Sequence, residues 1–403
     1  MTIWFISEVY FPDEAGTAYY MTRLAEHFAK NKRVNVLTGM PKYNARGRSV
    51  PRIEHLNGVY IFRCLDSTLN KNILLFRLVN VFISSISIFI KAIEKIRKND
   101  SVFVVTSPPL LPFVIGIVCK IHNAKFILRV DDVYPEVFVA AGLFKKGSLL
   151  ESLLFSANKV LYKKADLIIV LGRDMAELAA KKAGKQAHRI RIIPNWADSD
   201  SISPKPKIDN LLLIKWGLSN KFVVQCAGNM GRAQAIETLF SAAERLLDKP
   251  YIHFVFIGSG KKTNWMEKRK KEGKLTNITL IGQRSRDEQG AFLNACDISV
   301  ATLLPGMTGA GVPSRIYNVM AAGKPVISVA DADSEISLIV VEEKIGWVVS
   351  PSDPEQLAST ILEASSDPCA LEKMGKRARQ LSETKYSSQT IFAKYDHVIE
   401  AMI

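Results

Sequence analysis

Short runs of β-branched and aromatic residues alternate with amphipathic stretches along nearly the whole chain, and nothing else in the sequence restricts the fold as much. Thr2–Ser7, Arg33–Thr38, Val102–Thr106, Lys125–Val130, Asp166–Val170 and Ile190–Ile193 read as strands. Helical patterns lie between them near 17–31, 72–98, 110–122, 148–164 and 173–183. The second half repeats the scheme, with Phe222–Ala227, His253–Ile257, Ile278–Ile281, Ile298–Ala301, Pro325–Val329 and Trp347–Val349 as strands. Such alternation predicts parallel sheets covered by helices. A chain of 403 residues also exceeds what one hydrophobic core holds. The expectation is an α/β protein of two doubly wound, Rossmann-like domains facing a cleft. Their spans are expected at 1–196 and 197–383, with 384–403 as a terminal helix packing back toward the first domain. Pro194-Asn195-Trp196 through Pro206 breaks the pattern and marks the hinge.

Composition narrows the function class. With 48% apolar and 23% charged residues and no low-complexity tract, the chain is neither disordered nor a coiled coil nor a collagen-like rod. Cys64, Cys119, Cys226, Cys296 and Cys369 are scattered without a C-x-x-C pair, which fits a reducing compartment and excludes a zinc ribbon. The six histidines are far apart, and neither a metal nor a cofactor is expected. Net charge is +15 and lopsided, since residues 1–200 carry 29 Lys/Arg against 17 Asp/Glu. A basic first half calls for an acidic partner such as nucleic acid, anionic lipid or a phosphorylated substrate. The basic residues are dispersed without aromatic interleaving, so no nucleic-acid partner is expected.

The N-terminus lacks a basic lead and its apolar run is too short for a signal peptide. The most apolar stretch, Ile73 to Ile96, carries Arg77, Asn80, Ser84, Ser87, Lys91, Lys95 and Lys98 at steps of three or four, one narrow stripe on a helix. Two readings stay open: a core helix whose polar stripe is its solvent edge, or a helix lying shallowly in a membrane interface. A spanning helix would not carry these charges.

In doubly wound sheets ligands bind beyond the carboxyl ends of the strands, so the loops there carry the information. Gly16 and Thr17 stand at the expected start of the first helix, where N–H groups favour an anion; a plain turn with a threonine cap reads equally well. Arg129-Val130-Asp131-Asp132-Val133-Tyr134-Pro135-Glu136 ends a central strand. Its paired aspartates point to orienting an acceptor hydroxyl or acting as a base, with helix capping by Asp132 as the plain alternative. Gly228-Asn229-Met230-Gly231-Arg232-Ala233-Gln234 and Gly306 through Arg315 are two glycine-rich strand-to-helix loops in one domain. Glycine lets the backbone approach a ligand and arginine binds phosphate in a bidentate fork, so together they suggest a diphosphate site. Neither is a Walker loop. Asp198-Ser199-Asp200 and Asp331-Ala332-Asp333 have the form D-x-D, which suits a turn better than a metal.

These residues resemble a known family. Tyr10-Phe11-Pro12, Val36 through Tyr43, Thr106-Ser107-Pro108-Pro109, Asp132 through Glu136, Ile193-Pro194-Asn195-Trp196, Gly228-Asn229-Met230-Gly231, Pro313 through Asn318 and Met320 through Ile327 occur in the order and spacing of the retaining family 4 glycosyltransferases, the glycosyl transferases group 1. Within it the chain looks most like enzymes of bacterial O-antigen, colanic acid and capsule assembly, fucosamine-type transferases included. The resemblance implies a GT-B architecture and a nucleotide-sugar donor, usually UDP-linked, held by the C-terminal domain. It also implies an acceptor held by the N-terminal one, a polyprenyl-diphosphate-linked glycan at the inner face of the cytoplasmic membrane. Carried over, Asn229, Met230, Gly231 and the run Gly309, Ala310, Gly311, Val312, Pro313, Ser314 face the diphosphate, with Gly258, Gln234 and Arg315 beside them. Gly282 and Gln283 approach the base, Asn318 the ribose, and Tyr134 and Glu136 the acceptor. Asp131, Asp132 and Arg232 are the expected catalytic residues.

The sequence departs from the family pattern at defined points. Ala310 and Asn318 stand where the family usually has two glutamates. Asn229 and Gln234 replace an arginine and a lysine, leaving Arg232 to substitute, and Asp131 and Asp132 occupy the neighbourhood of a frequent histidine. Two other classes stay open on sequence: a sugar-nucleotide epimerase of the same architecture, and an inactive basic scaffold at a membrane.

Overall fold

The computed structural model describes residues 1–42, 45, 47, 49–65 and 74–402. Tyr43 and Ile73, both singled out in the sequence, lie outside the described residues, as does the side chain of Arg77. The chain divides into two compact units, one of residues 1–135 and 145–193, the other of 136–144 and 194–403.

The first unit is built on β1 (Ile3–Ile6), β2 (Val34–Thr38), β3 (Ile53–Leu56), β4 (Val59–Arg63), β5 (Ser101–Val105), β6 (Lys125–Val130), β7 (Leu167–Val170) and β8 (Ile190–Ile192). They form one sheet in the order β3-β4-β2-β1-β5-β6-β7-β8. All its pairings are parallel except β3 with β4. Central strands such as Ser-Val-Phe-Val-Val in β5 are buried along their whole length, the mark of a parallel sheet covered on both faces. Its helices are α1 (Gly16–Ala29), α2 (Leu74–Lys95), α3 (Leu111–His122), α5 (Leu149–Lys164) and α6 (Arg173–Ala183). The short α4 (Glu136–Ala140) clusters with the other unit. Ser148 caps α5 by accepting from Glu151 N at 3.3 Å, while the Glu151 carboxylate accepts from Gly147 N at 2.7 Å.

The hairpin β3–β4 is absent from the sequence reading. Its signal was present: Asn57-Gly58 joins two short apolar runs, and both residues have positive φ, 50° and 80°, as a two-residue hairpin turn requires.

The solvent-edge reading of the polar stripe on α2 fails at Asn80 and Ser84, whereas Ser87, Lys91 and Lys95 are half-buried and Lys98 is exposed. Asn80 and Ser84 are buried at 5% and 1% exposure, whereas Phe82 and Ile90 are 58% and 61% exposed. The physical reason is that the stripe meets polar groups at the strand ends, where Lys42 Nζ donates to Ser84 Oγ at 3.4 Å and pairs with Glu8.

The second unit carries β9 (Phe222–Ala227), β10 (Ile252–Ile257), β11 (Ile278–Ile281), β12 (Ile298–Thr302), β13 (Val326–Val329) and β14 (Gly346–Val349), all parallel in the order β11-β10-β9-β12-β13-β14. Helices α7 (Leu211–Trp216), α8 (Ile236–Arg245), α9 (Thr263–Glu272), α10 (Gln289–Leu293), α11 (Arg315–Ala321), α12 (Glu335–Glu342), α13 (Pro354–Ser366), α14 (Pro368–Glu383) and α15 (Ser388–Glu400) complete it. Asp353 and Asp367 cap α13 and α14 from just before a proline at the first helical position. Apolar clusters fill both faces of the sheet, one around Ile316, Tyr317 and Met320, the other around Phe240, Phe254 and Phe256.

Candidate active site

In the second unit strand order reverses between β9 and β12, so the loops after these two strands open at the switch point. They are the two glycine-rich loops. Gly228 has φ +131° and Gly258, after β10, has φ +130°. A Cβ on Gly258 would sit 2.0 Å from Gly228 O, and one on Gly260 2.4 Å from Met230 O. The loops after β9 and β10 therefore touch backbone to backbone, which only glycine permits. Met230 N donates to Ser259 O at 3.0 Å and the Met230 side chain is buried, while Gly228 and Asn229 are exposed.

Arg315, the first residue of α11, lies across this turn. Its Nη2 donates to Asn229 O at 3.3 Å and its Nη1 to Cys226 Sγ at 3.6 Å. Burial pushes the Cys226 thiol up, a shift the guanidinium partly offsets. Arg232 is exposed on the same loop and forms no ion pair with a described residue. The structure thus brings two guanidinium groups to one glycine turn.

Gly258 and Gly282 meet at a shallow depression of about 80 Å³ lined also by Phe256, Thr263, Met266, Glu267 and Leu280. Gln283 is exposed next to it. Gln234 serves the scaffold, accepting from Thr302 Oγ1 at 3.1 Å and, through its carbonyl, from Lys262 Nζ at 2.5 Å.

The run from Gly309 to Val312 is buried, with Ala310 at 0% exposure, and Pro313, Ser314 and Arg315 are half-buried. Helix α11 has seven residues, Ser314 is already in the helical region, and Ile316 N is bonded to Pro313 O at 3.4 Å. Asn318 is buried with both ends engaged: Oδ1 accepts from Asp198 N at 3.0 Å and Nδ2 donates to Gln289 Oε1 at 3.2 Å. The second D-x-D segment, Asp331-Ala332-Asp333, stabilises a turn, whereas Asp198 of the first pairs with Arg286 at 3.6 Å. Asp331 accepts from Gly306 N at 2.7 Å, and Asp333 accepts from Thr308 Oγ1 at 2.9 Å. Among the described residues no group of three His, Cys, Asp or Glu is placed to hold a metal ion.

In the first unit the corresponding loops follow β1, β5 and β6. Asp131 accepts from Arg129 Nε at 2.9 Å and from Thr17 Oγ1 at 3.2 Å. The Thr17 hydroxyl, near the start of α1, thus bonds the protein's own Asp131 carboxyl. Arg129 is 1% exposed, so this is a buried ion pair whose rupture would strand a charge. Thr106 Oγ1 ties the strand ends together, accepting from the N–H groups of Asp131 and Asp132 at 3.1 Å and donating to Asp132 O at 2.9 Å.

Asp132 does not share the Arg129 contact. Burial, with the Asp131 charge added, pushes its carboxyl up to about 7. Two adjacent carboxyls with opposed environments are the arrangement that separates a fixed charge from a proton carrier. The Tyr134 ring is buried and its carbonyl accepts from Lys182 Nζ at 2.9 Å. Glu136 opens α4 and is half-buried. Glu8, Asp13 and Lys42 escaped the sequence reading as site residues. Asp13 Oδ2 accepts from Lys42 N at 2.9 Å, so an acid–base cluster closes the ends of β1 and β2. Only the pairing of residues 34 apart in sequence reveals it.

Comparison with known proteins supplies the chemistry. The glycosyl transferases group 1 profile matches residues 214–381. The "Probable glycosyltransferase WbjE" of Pseudomonas aeruginosa is 33% identical over 334 residues, 83% of this chain and 82% of that one. A protein of Escherichia coli K12 named as a colanic acid biosynthesis glycosyl transferase, WcaI, is 24% identical over 405 residues and 96% of each chain. In fold, HepE of Anabaena in complex with UDP-glucose superposes with TM-score 0.77 at 16% identity over 100% of both chains. The sucrose-phosphate synthase of Thermosynechococcus elongatus gives 0.77 at 18% over 100% of this chain and 98% of that one. With a glycine-turn and arginine site on a doubly wound sheet and a third of its residues shared with WbjE over most of both chains, the protein belongs to the glycosyl transferases group 1 family, as a GT-B glycosyltransferase related to those of bacterial polysaccharide biosynthesis.

Proposed function

We propose that the enzyme moves a sugar, an N-acetylated amino or deoxy sugar, from a UDP-linked donor to a polyprenyl-diphosphate-linked glycan at the inner face of the cytoplasmic membrane, with retention of configuration. The observation that carries the donor half is Arg315 laid over the Gly228 turn with Arg232 exposed beside it. Negative charge accumulates on the departing diphosphate as the glycosidic bond breaks, and groups already aimed at that charge lower the barrier. Arg315 is fixed by Asn229 O and Cys226 and needs no reorganisation, while Arg232 closes on the phosphates from solvent. Asn229, Gly231 and the Gly309–Ser314 segment complete the diphosphate cradle. The base fills the depression between Gly258 and Gly282, with Gln283 at its edge, and Asn318 stands behind the ribose. HepE, which has the same fold, was crystallised with UDP-glucose, which supports this class of donor.

On the acceptor side Asp132 holds or takes the hydroxyl proton, and Asp131, held by Arg129 and Thr17, lies beside it. Tyr134 and Glu136 flank the acceptor. The test is product analysis with a panel of UDP-sugars and a polyprenyl-diphosphate acceptor. Acceptor-dependent release of UDP with an extended glycan supports the reading. Donor epimerised or hydrolysed identically without acceptor refutes it. NMR of the anomeric proton decides the stereochemistry.

A further inference from the structure

Three helices of the first unit turn aliphatic side chains outward. Phe82, Ile86 and Ile90 on α2 are 58%, 38% and 61% exposed, Ile117 and Ile121 on α3 are 52% and 61%, and Leu153 on α5 is 59%. Steps of four along α2 and α3 put each set on one helix face. Helix α2 packs against α3 and α3 against α5, so the three faces adjoin. Meanwhile Asn80, Ser84 and Ser85 of α2 point inward and are no more than 5% exposed. In its first half α2 thus buries polar side chains while Phe82, Ile86 and Ile90 remain on the surface, and contiguous apolar surface left in water is unfavourable.

We propose that this α2–α3–α5 face seats the enzyme on an anionic lipid leaflet, a proposal that rests on the reading of a lipid-linked acceptor and names the surface that reaches it. Charge selects the occupant. Lys120, Lys159, Lys163 and Lys164 are exposed on the same helices. The acids there are only Glu94 and Glu151. Glu94 is neutralised by Lys91 and Lys95 at 2.8 and 3.0 Å, and Glu151 is tied to Gly147 N. A second copy of the chain would bring lysine rim against lysine rim across a two-fold interface, whereas anionic headgroups complement them. Aliphatic side chains inserted to the acyl boundary with lysines at headgroup level are the pattern of an interfacial helix. No described helix is long and apolar enough to cross a membrane, so the attachment is to one leaflet.

The experiment is flotation of the full chain with phosphatidylcholine vesicles, with and without phosphatidylglycerol, comparing wild type with the Phe82→Gln/Ile90→Gln double variant. Both positions are exposed and outside the catalytic machinery, and an unchanged Tm checks the fold. Wild type is expected to float with anionic vesicles, to be released by high salt, and to bind at least about tenfold more tightly than the variant. Failure to float, or equal binding by the variant, overturns the proposal. So does a wild-type dimer that the variant dissociates, since a second copy then covers the face. Transfer to a water-soluble short-chain diphosphate acceptor separates the two readings. The variant is expected to retain it, and a chain that floats yet turns over no donor refutes the transferase chemistry while leaving the docking face standing.

Discussion

The Arg315 guanidinium occupies the space a side chain on Gly228 would need: its Cζ lies 3.1 Å from where that Cβ would be. One residue follows β9 and the other begins α11, 87 positions later, yet the arginine is seated by the absence of the glycine's side chain. The turn, the missing Cβ and the charge form one unit.

Replacing Arg315 with Ala is expected to lower kcat/KM for the donor by about 10²–10³, the loss typical of a preorganised donor to developing charge. Arg315→Lys should not rescue it, because an ammonium cannot span Asn229 O, Cys226 and a phosphate oxygen at once. Steady-state kinetics at saturating acceptor, with Tm as control, measure this. Turnover within a factor of two of wild type would remove Arg315 from the mechanism.

Gly258→Ala is expected to destabilise the second unit by about 3 kcal/mol or more. Its φ of +130° is strained for any side chain, and the new methyl would meet the Gly228 carbonyl at 2.0 Å. Gly47, with φ +82° and open space around it, keeps the φ strain without the collision, so Gly47→Ala should cost about 1–2 kcal/mol. Urea denaturation of both variants discriminates collision from strain.

Asp132 should leave opposite signatures in activity and stability. Acting as a base it must be ionised, so kcat/KM is expected to rise with pH through about 7 and the limb to vanish in Asp132→Asn. For folding, a carboxyl that holds its proton to about 7 when native but releases it near 4 when unfolded stabilises most below 4. That contribution is lost as pH rises toward 7. Wild-type stability relative to Asp132→Asn should therefore fall across that window, by at most about 1.4 kcal/mol per pH unit.

His253 supplies the contrary slope. Burial, with Lys221 and Lys270 nearby, pushes its imidazole down to about 4, and Nε2 lies 2.8 Å from Thr279 Oγ1. The native state keeps it neutral, so stability is complete above 6.5 and drains as pH falls toward 4. His253→Gln should flatten the difference between pH 6.5 and 4.5 in thermal melts; an unchanged slope assigns acid sensitivity to other groups.

Local pattern determined much of this protein. The period of the apolar residues announced twelve of the strands and the helices between them, because burial on both faces of a parallel sheet forces continuous β-branched runs. Strand-to-helix loops with glycine, arginine and aspartate pointed to the residues proposed for the site, since φ beyond zero and a phosphate-binding fork each demand particular residue types. Tertiary structure decided what each residue does there. Asp131 and Asp132 are adjacent and chemically identical, yet a buried Arg129 pairs with one while burial pushes the carboxyl of the other up to about 7. Ser84, in the first half of the α2 stripe, faces inward because Lys42 and Glu8 wait at the strand ends, which periodicity cannot show: it reveals that a helix has two faces, and only the neighbours choose which one meets solvent.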